Sequence, residues 1–370
     1  MSYSDWMSQL PAELHTTPLF KLAIPGSHDS MSYDLDVHSR IIEPKRLIRF
    51  SRIYCLRKVV QIWAATQEVS ITEQLNAGVR YFDLRIARKP NDTDPTRLYF
   101  HHGLYTRTDV ETILREINVW AESHRKEVVI LSLSHFEGFD KKIASPLHQH
   151  LINFIKEVFG AKLLLKTNTP TLKGCWNEGK NVIVSYDHPS YSHSFNFLWR
   201  KITYYYGNSM DRTQITAKLC QGLEKEKSAK YFFVCGLNPT LPHSPSILKY
   251  ILRICDNFTN VARRGLPKML RWVKQQYSKT PMNIVASDVV TRGNFVATIV
   301  KLNLEKRLRQ LHQRGAEGAA KDATMGEAAI QQDAHEHRRL RRGDTRQFRG
   351  HDCEAQPGEK TMKTCPSRFC

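Results

Sequence analysis

No apolar run in this 370-residue chain approaches the roughly 20 residues that a helical membrane span requires. CxxC pairs are missing too. The eight cysteines (Cys55, Cys175, Cys220, Cys235, Cys255, Cys353, Cys365 and Cys370) are scattered, which argues against a zinc ribbon or a redox pair. The opening MSYSDWMSQLPAELH has neither a basic n-region nor a continuous apolar stretch, so no secretory leader is expected. A cytoplasmic setting is the expectation, with a nuclear one also compatible. Acidic residues are scarce: 36 Asp+Glu stand against 55 Lys+Arg, a net charge of +19. That excess calls for an anionic partner, either nucleic acid, an anionic membrane surface or a phosphorylated substrate, without choosing among them. What is present is ordinary for a folded chain, with 41% apolar and 25% charged residues. This excludes a wholly disordered chain and a disulfide-built miniprotein.

Two stretches differ in composition from the rest. In 40–65, Arg46, Arg49, Arg52, Arg57 and Lys58 interleave with Leu47, Phe50, Ile53, Leu56 and Trp63. The pattern predicts a basic amphipathic helix or helical loop, which either packs its apolar stripe on the core or lies on an anionic membrane. From about Gly315, large aliphatic and aromatic residues nearly vanish, so the tail 304–370 is expected to be disordered. Its run from His337 to Arg342 is compatible with a nuclear or RNA signal, or with a plain solvated charge cluster.

Between these stretches, short β-forming runs alternate with helical patterns. Strands are predicted at 19–24, 79–86, 98–102, 128–134, 181–186, 231–236 and 283–287. Helices are predicted at 70–77, 108–124, 144–159, 244–264, 266–277 and 294–312, the first opened by a Ser70/Glu73 capping box. Continuous apolar strands alternating with helices imply a parallel sheet covered by helices. Seven or eight such units in about 300 residues predict one α/β barrel of the TIM type.

The polar residues that follow the strands carry the chemistry. The first strand runs into Ser27-His28-Asp29, and the second carries Asp83 and Arg85. The third ends at His101-His102-Gly103, the fourth at Ser134-His135, the fifth at Asp187-His188 and the last at Asp288. A barrel gathers the C-terminal ends of its strands at one mouth. Histidines there suit general acid and general base work, and an arginine suits a phosphate. Each residue also has a plainer role. A single histidine after a strand is usually a surface or capping residue, Asp29 could cap a helix, and Asp83 with Arg85 could form an interior ion pair.

In their order and spacing, LAIPGSHDSMSY, GVRYFDLRIA, LYFHHG, EVVILSLSHFEG and NIVASD resemble the X domain of phosphatidylinositol-specific phospholipases C (PI-PLC). The likeness is greatest to the small intracellular proteins that carry an X domain alone, and it covers about residues 4–303. It implies a PI-PLC-like barrel over 4–303 followed by the tail 304–370. It also implies cleavage of phosphatidylinositol-type lipid at an anionic membrane surface, giving inositol (cyclic) phosphate and diacylglycerol. On the matching positions, His28 would be the general base, oriented by Asp288. His102 would be the general acid, supported by Asp29, with Arg85 on the phosphate oxygens and Asp83 holding Arg85. His135 would contribute to substrate binding, with Tyr206 and Asn208 as candidates for the inositol ring. Calcium-dependent relatives have an acidic residue where Arg85 stands, so no metal or other cofactor is expected. The alternatives are a catalytically weak phosphoinositide-binding scaffold, a nucleic-acid binder, and a glycerophosphodiesterase. The intact histidine pair argues against the first. No recognised motif supports the second, and the His-Arg-Gly start of the third is missing.

Overall fold

In the computed structural model, the described residues are 3–305, apart from 91, 167–168, 227, 229, 242–256 and 281. The predicted tail 304–370 therefore lies almost wholly outside the described residues. So do most of the helix predicted at 244–264 and the end of that predicted at 294–312.

The sheet begins with β1 (Ile24–Ser27), β2 (Tyr81–Arg88), β3 (Leu98–His102), β4 (Leu104–Asp109) and β5 (Val129–Glu137). It continues with β6 (Val182–Tyr186), β7 (Leu198–Trp199), β8 (Thr203–Tyr205), β9 (Phe233–Gly236) and β10 (Ile284–Ser287). Eight of these run parallel in the order β7-β6-β5-β2-β1-β10-β9-β8. The result is the expected TIM-like barrel. Among the described residues no pairing joins β7 to β8, which leaves a seam there. β1, β6, β9 and β10 are buried along their whole length, as a sheet covered on both faces must be, whereas β8 at the seam has no buried residue.

Three local expectations are corrected. LFKLAI is not a strand: Pro18 opens a 3-10 turn at Leu19–Lys21, and the strand starts at Ile24. There Gly26 is required, because a Cβ would sit 2.9 Å from Ile284 Cγ2 and 3.0 Å from Tyr81. Residues 40–65, read as a helix or helical loop, form a 3-10 segment, Lys45–Phe50, and an α-helix, Tyr54–Ala64. Pro44 opens the first of these. β3 is not a barrel strand. It pairs antiparallel with the outer end of β2 and turns at Gly103, φ +71°, into β4. The helix Val110–Ser123 buries Ile113, Leu114 and Ile117 and leaves Val119 exposed. The capping box at Ser70 forms as predicted, ahead of the helix Ile71–Asn76. The two helices expected on either side of residue 265 are one, Phe258–Tyr277, continuous through Pro267.

Candidate active site

Strand alternation sets the floor of the site. Tyr81, Asp83 and Arg85, at successive i+2 positions of β2, point into the barrel mouth. The register pairs Asp83 with Ser132 and Arg85 with Ser134 on β5, and all four line one cavity of about 440 Å³. His28 and Asp29 follow β1, Asp288 follows β10, and His102 ends β3. His102 reaches the mouth because the outer end of β2, residues 86–88, pairs with β3 and carries the β3–β4 hairpin over the rim.

Asp29 is the hub. Its Oδ1 lies 2.6 Å from Arg85 Nε, and its Oδ2 lies 3.2 Å from both His28 Nε2 and His102 Nε2. Yet neither oxygen accepts an aligned hydrogen bond, although both are buried. Burial opposes the charge, but Arg85 and then the two imidazoles outweigh it and hold the Asp29 carboxyl well below the usual carboxylate range. Asp83 Oδ2 contacts Arg85 Nη2 at 3.2 Å and accepts the backbone N–H of Asp29 at 3.2 Å. His28 Nδ1 donates to Asp288 Oδ1 at 2.7 Å, and Arg85 Nη2 lies 3.1 Å from Nε2. Burial disfavours the imidazolium of His28, but Asp29 and Asp288 outweigh this and raise its pKa above the ordinary 6.5. Burial raises the pKa of Asp288, itself fully enclosed. His102 Nδ1 donates to the Ala64 carbonyl at 2.7 Å, leaving Nε2 toward the cavity.

Backbone strain collects at the same place. Asp29 (φ +44°), His135 (+70°) and Val289 (+50°) are non-glycine residues in the left-handed region, each beside a strand end that feeds the site. A β-branched residue such as Val289 rarely adopts that conformation, and here its N–H is held by the Thr66 carbonyl. Gln67 donates from Nε2 to the carbonyls of both His28 and Ser287, bridging the two strand ends that carry the His28–Asp288 pair.

Of the remaining sequence candidates, His135 and Tyr206 line the cavity. The His135 ring contacts Ser134 Oγ at 2.9 Å, and burial, then Arg85, lowers its pKa. Asn208 does not line the cavity. It lies past the end of β8 in a left-handed conformation, where the chain has turned away from the mouth. His101, flagged only as the neighbour of His102, is buried behind the cavity, with neither ring nitrogen hydrogen-bonded.

Sequence reasoning missed several neighbours. Phe258 stacks on the His102 ring, with centroids 6.3 Å apart. Tyr204 faces His28 at 5.9 Å and donates its hydroxyl to Asn238. Lys201, bonded to Asp187 at 2.7 Å, supplies a cation at the rim. Glu43 is half-buried, and despite burial its pKa is lowered by the facing His101, His102 and Arg85.

The atoms best placed to ligate a divalent ion belong to His28, Asp29 and Asp83, within 4.8 Å of one another. They fit such an ion poorly. Both carboxylates already contact the Arg85 guanidinium, and a calcium ion needs about six to eight oxygen ligands.

The family model of the PI-PLC X domain, described as PI-PLC X 1, matches residues 59–303. His28 and Asp29 precede the start of that match. The chain is 38% identical over 296 residues to PI-PLC X domain-containing protein 1 of Danio rerio, covering 78% of this chain and 92% of that protein. It is 37% identical over 310 residues to the Homo sapiens protein of that name, covering 81% and 92%. It is 34% identical over 312 residues to Homo sapiens PI-PLC X domain-containing protein 3, covering 82% and 94%. Among solved structures, the phosphatidylinositol-specific phospholipase C of Listeria monocytogenes superposes with a TM-score of 0.57 at 21% identity, covering 82% of this chain and 99% of that one. An S. aureus phosphatidylinositol-specific phospholipase C gives 0.56 at 18% identity, covering 82% and 98%. At such identities these two structures share the fold and speak to nothing finer.

Proposed function

The chain belongs to the PI-PLC X-domain family, and from that membership we propose that it cleaves phosphatidylinositol-type lipid to inositol (cyclic) phosphate and diacylglycerol. The observation that carries this reading is the arrangement around Asp29, where two imidazoles and a guanidinium converge on one buried carboxylate beside an open cavity. A binding module has no need of a paired acid and base.

His28 Nε2 takes the proton of the inositol 2-hydroxyl, whose oxygen attacks phosphorus. Asp288 fixes the His28 tautomer and balances the imidazolium that forms, as a carboxylate does in other His-based sites. The bond from phosphorus to the diacylglycerol oxygen breaks, and His102 Nε2 gives that oxygen its proton. Asp29 steadies the acid and offers buried acceptor oxygens that lack an aligned donor. Arg85 faces the non-bridging oxygens and neutralises their growing charge. Arg85 supplies a fixed positive charge of the kind a metal would otherwise bring, which supports metal independence. The base must start neutral, so activity falls as pH drops through the raised pKa of His28, an acid limb above 6.5.

Membrane contact belongs to 45–58. Phe50, Ile53 and Tyr54 are 37%, 51% and 50% exposed, amid exposed Lys45, Arg46, Arg49 and Arg52. The helix that follows ends at Ala64, whose carbonyl holds the His102 ring. Among the described residues no helix is long and apolar enough to cross a membrane.

The test is a product-resolved assay on phosphatidylinositol vesicles in excess EDTA, comparing wild type with His28→Ala. Diacylglycerol and inositol phosphate from the wild type alone are expected. Turnover that appears only with added Ca²⁺ refutes metal independence. Folded protein that binds vesicles but turns over nothing in either condition makes this a phosphoinositide-binding scaffold.

A further inference from the structure

A second cavity, of about 390 Å³, lies at the β7–β8 seam and holds none of the catalytic candidates. Its apolar wall is aromatic. Phe232 meets Phe20 edge to face at 6.4 Å and Trp199 at 5.8 Å. Trp199 is fixed by its indole N–H, which donates to the Leu164 carbonyl at 2.8 Å. The polar lining carries Lys166, Arg200, Lys201 and Lys230 with Ser192 and His193, and no carboxylate among the described lining residues, although Lys201 is paired with Asp187 at 2.7 Å. Arg200 sits 4.3 Å over the Tyr231 ring, which presents its guanidinium at the rim. The size is that of a small-ligand pocket, and apolar walls with a few convergent charges are the usual lining of one.

We propose that this cavity is a second ligand site, taking a phosphate monoester with an apolar body. Lys166, Arg200 and Lys230 around one recess suit a doubly charged head better than a carboxylate, and an arginine fork suits phosphate oxygens. The aromatic wall takes the alkyl or aryl group. The site is separate from the catalytic cavity but touches it, because Lys201 and Ile202 line both. This inference does not depend on the proposed activity.

The experiment is calorimetric titration of the full chain with hexyl phosphate, which is too short-chained to form vesicles. Saturable binding is expected. It persists in Arg85→Gln and weakens by roughly tenfold or more in Arg200→Gln/Lys230→Gln, whose two altered side chains are solvent-exposed and leave the fold intact. Far-UV dichroism and a thermal melt check that fold. Phenyl phosphate competes if the natural occupant is a soluble ester, and phosphatidic acid vesicles compete if it is a lipid head. The proposal is overturned if hexyl phosphate does not bind. It is equally overturned if binding is lost in Arg85→Gln and kept in the double variant, which places the ligand in the catalytic cavity. Inorganic phosphate binding as tightly as hexyl phosphate removes any role for the aromatic wall and overturns it too.

Discussion

Arg80 stands just before β2 and Arg85 five residues on within it, and both are paired with buried carboxylates. Arg80 is fully enclosed. Its guanidinium donates to Glu127 and to the carbonyls of Tyr3, Ser4, Leu75 and Val79, which leaves it nothing to offer a ligand. Arg85 contacts Asp29 and Asp83 while its side chain remains 17% exposed to the cavity. The first is a pin that ties the N-terminal segment to the bottom of the barrel. The second is held in place but not used up. A buried ion pair is therefore no sign of function in itself. What separates the two arginines is whether the donors are spent on the protein.

The strongest way to break this comparison is to remove each arginine in turn. Arg80→Ala leaves Glu127 buried without its partner and is expected to cost about 3–5 kcal/mol of stability, read from urea denaturation. Arg85→Ala is expected to cost less stability than Arg80→Ala, since Asp29 retains both imidazoles and Asp83 keeps the Asp29 N–H. It should lower kcat on phosphatidylinositol by about 10²–10³-fold. Equal losses of stability in both would make Arg85 another structural pin.

A buried group with no hydrogen-bond partner at all sharpens the comparison from the other side. Burial pushes His101 down to about 4, with Arg85 and the neighbouring imidazoles adding to it against Glu43. The unfolded chain takes up that proton near 6.5, so the folded state loses stability as pH falls from 6.5 toward 4. The loss attributable to His101 is on the order of 3 kcal/mol. His101→Phe should flatten that part of a stability–pH curve. His148, also pushed to about 4 by burial, keeps the rest. An unchanged curve would mean that His101 is charged in the folded protein.

The sequence was most legible where a polar residue interrupts the end of an apolar strand, and least legible where the chain is short or irregular. His28, Asp83, Arg85 and Asp288 each follow or close a β-forming run, so the barrel topology alone gathers them. His102 arrived for a reason that sequence reasoning did not use. Its strand lies off the barrel, and the hairpin carries it back over the mouth. Lys201, Tyr204 and Asn238 come from the seam and its surroundings, where β7 and β8 are two and three residues long. Strands that short show no alternation to read. Phe258 reaches His102 from a helix whose predicted boundaries were displaced. Gln67 is an uncharged residue in an irregular stretch, and its bridge between β1 and β10 could not be seen before those strands were paired. The tail, where a nuclear or RNA signal was weighed, lies outside the described residues.

The comparison extends to arginines that are open altogether. Arg46, Arg49 and Arg52 are exposed beside Phe50 and Ile53, and Arg49 lies 4.7 Å over the Phe50 ring. Phe50→Ser/Ile53→Ser/Tyr54→Ser should weaken sedimentation with anionic vesicles by roughly tenfold to a hundredfold, through lost apolar insertion. It should leave the thermal melt nearly unchanged. Unaltered vesicle binding would return this stretch to an ordinary solvated face.

The smallest expected effect separates two residues that the sequence treated alike. Tyr206 lines the catalytic cavity, is 49% exposed and lies 6.4 Å from Tyr204, whereas Asn208 is not among the residues lining it. A ring at the rim can cover the inositol without touching the phosphorus. Tyr206→Ala should therefore raise KM by roughly threefold to tenfold and leave kcat within a factor of two, the pattern of a contact made equally in the ground and transition states. Asn208→Gly, which suits its left-handed φ, should change neither constant. If the asparagine variant alters KM and the tyrosine variant does not, the inositol ring sits on the far side of β8 and the seat assigned to it here is wrong.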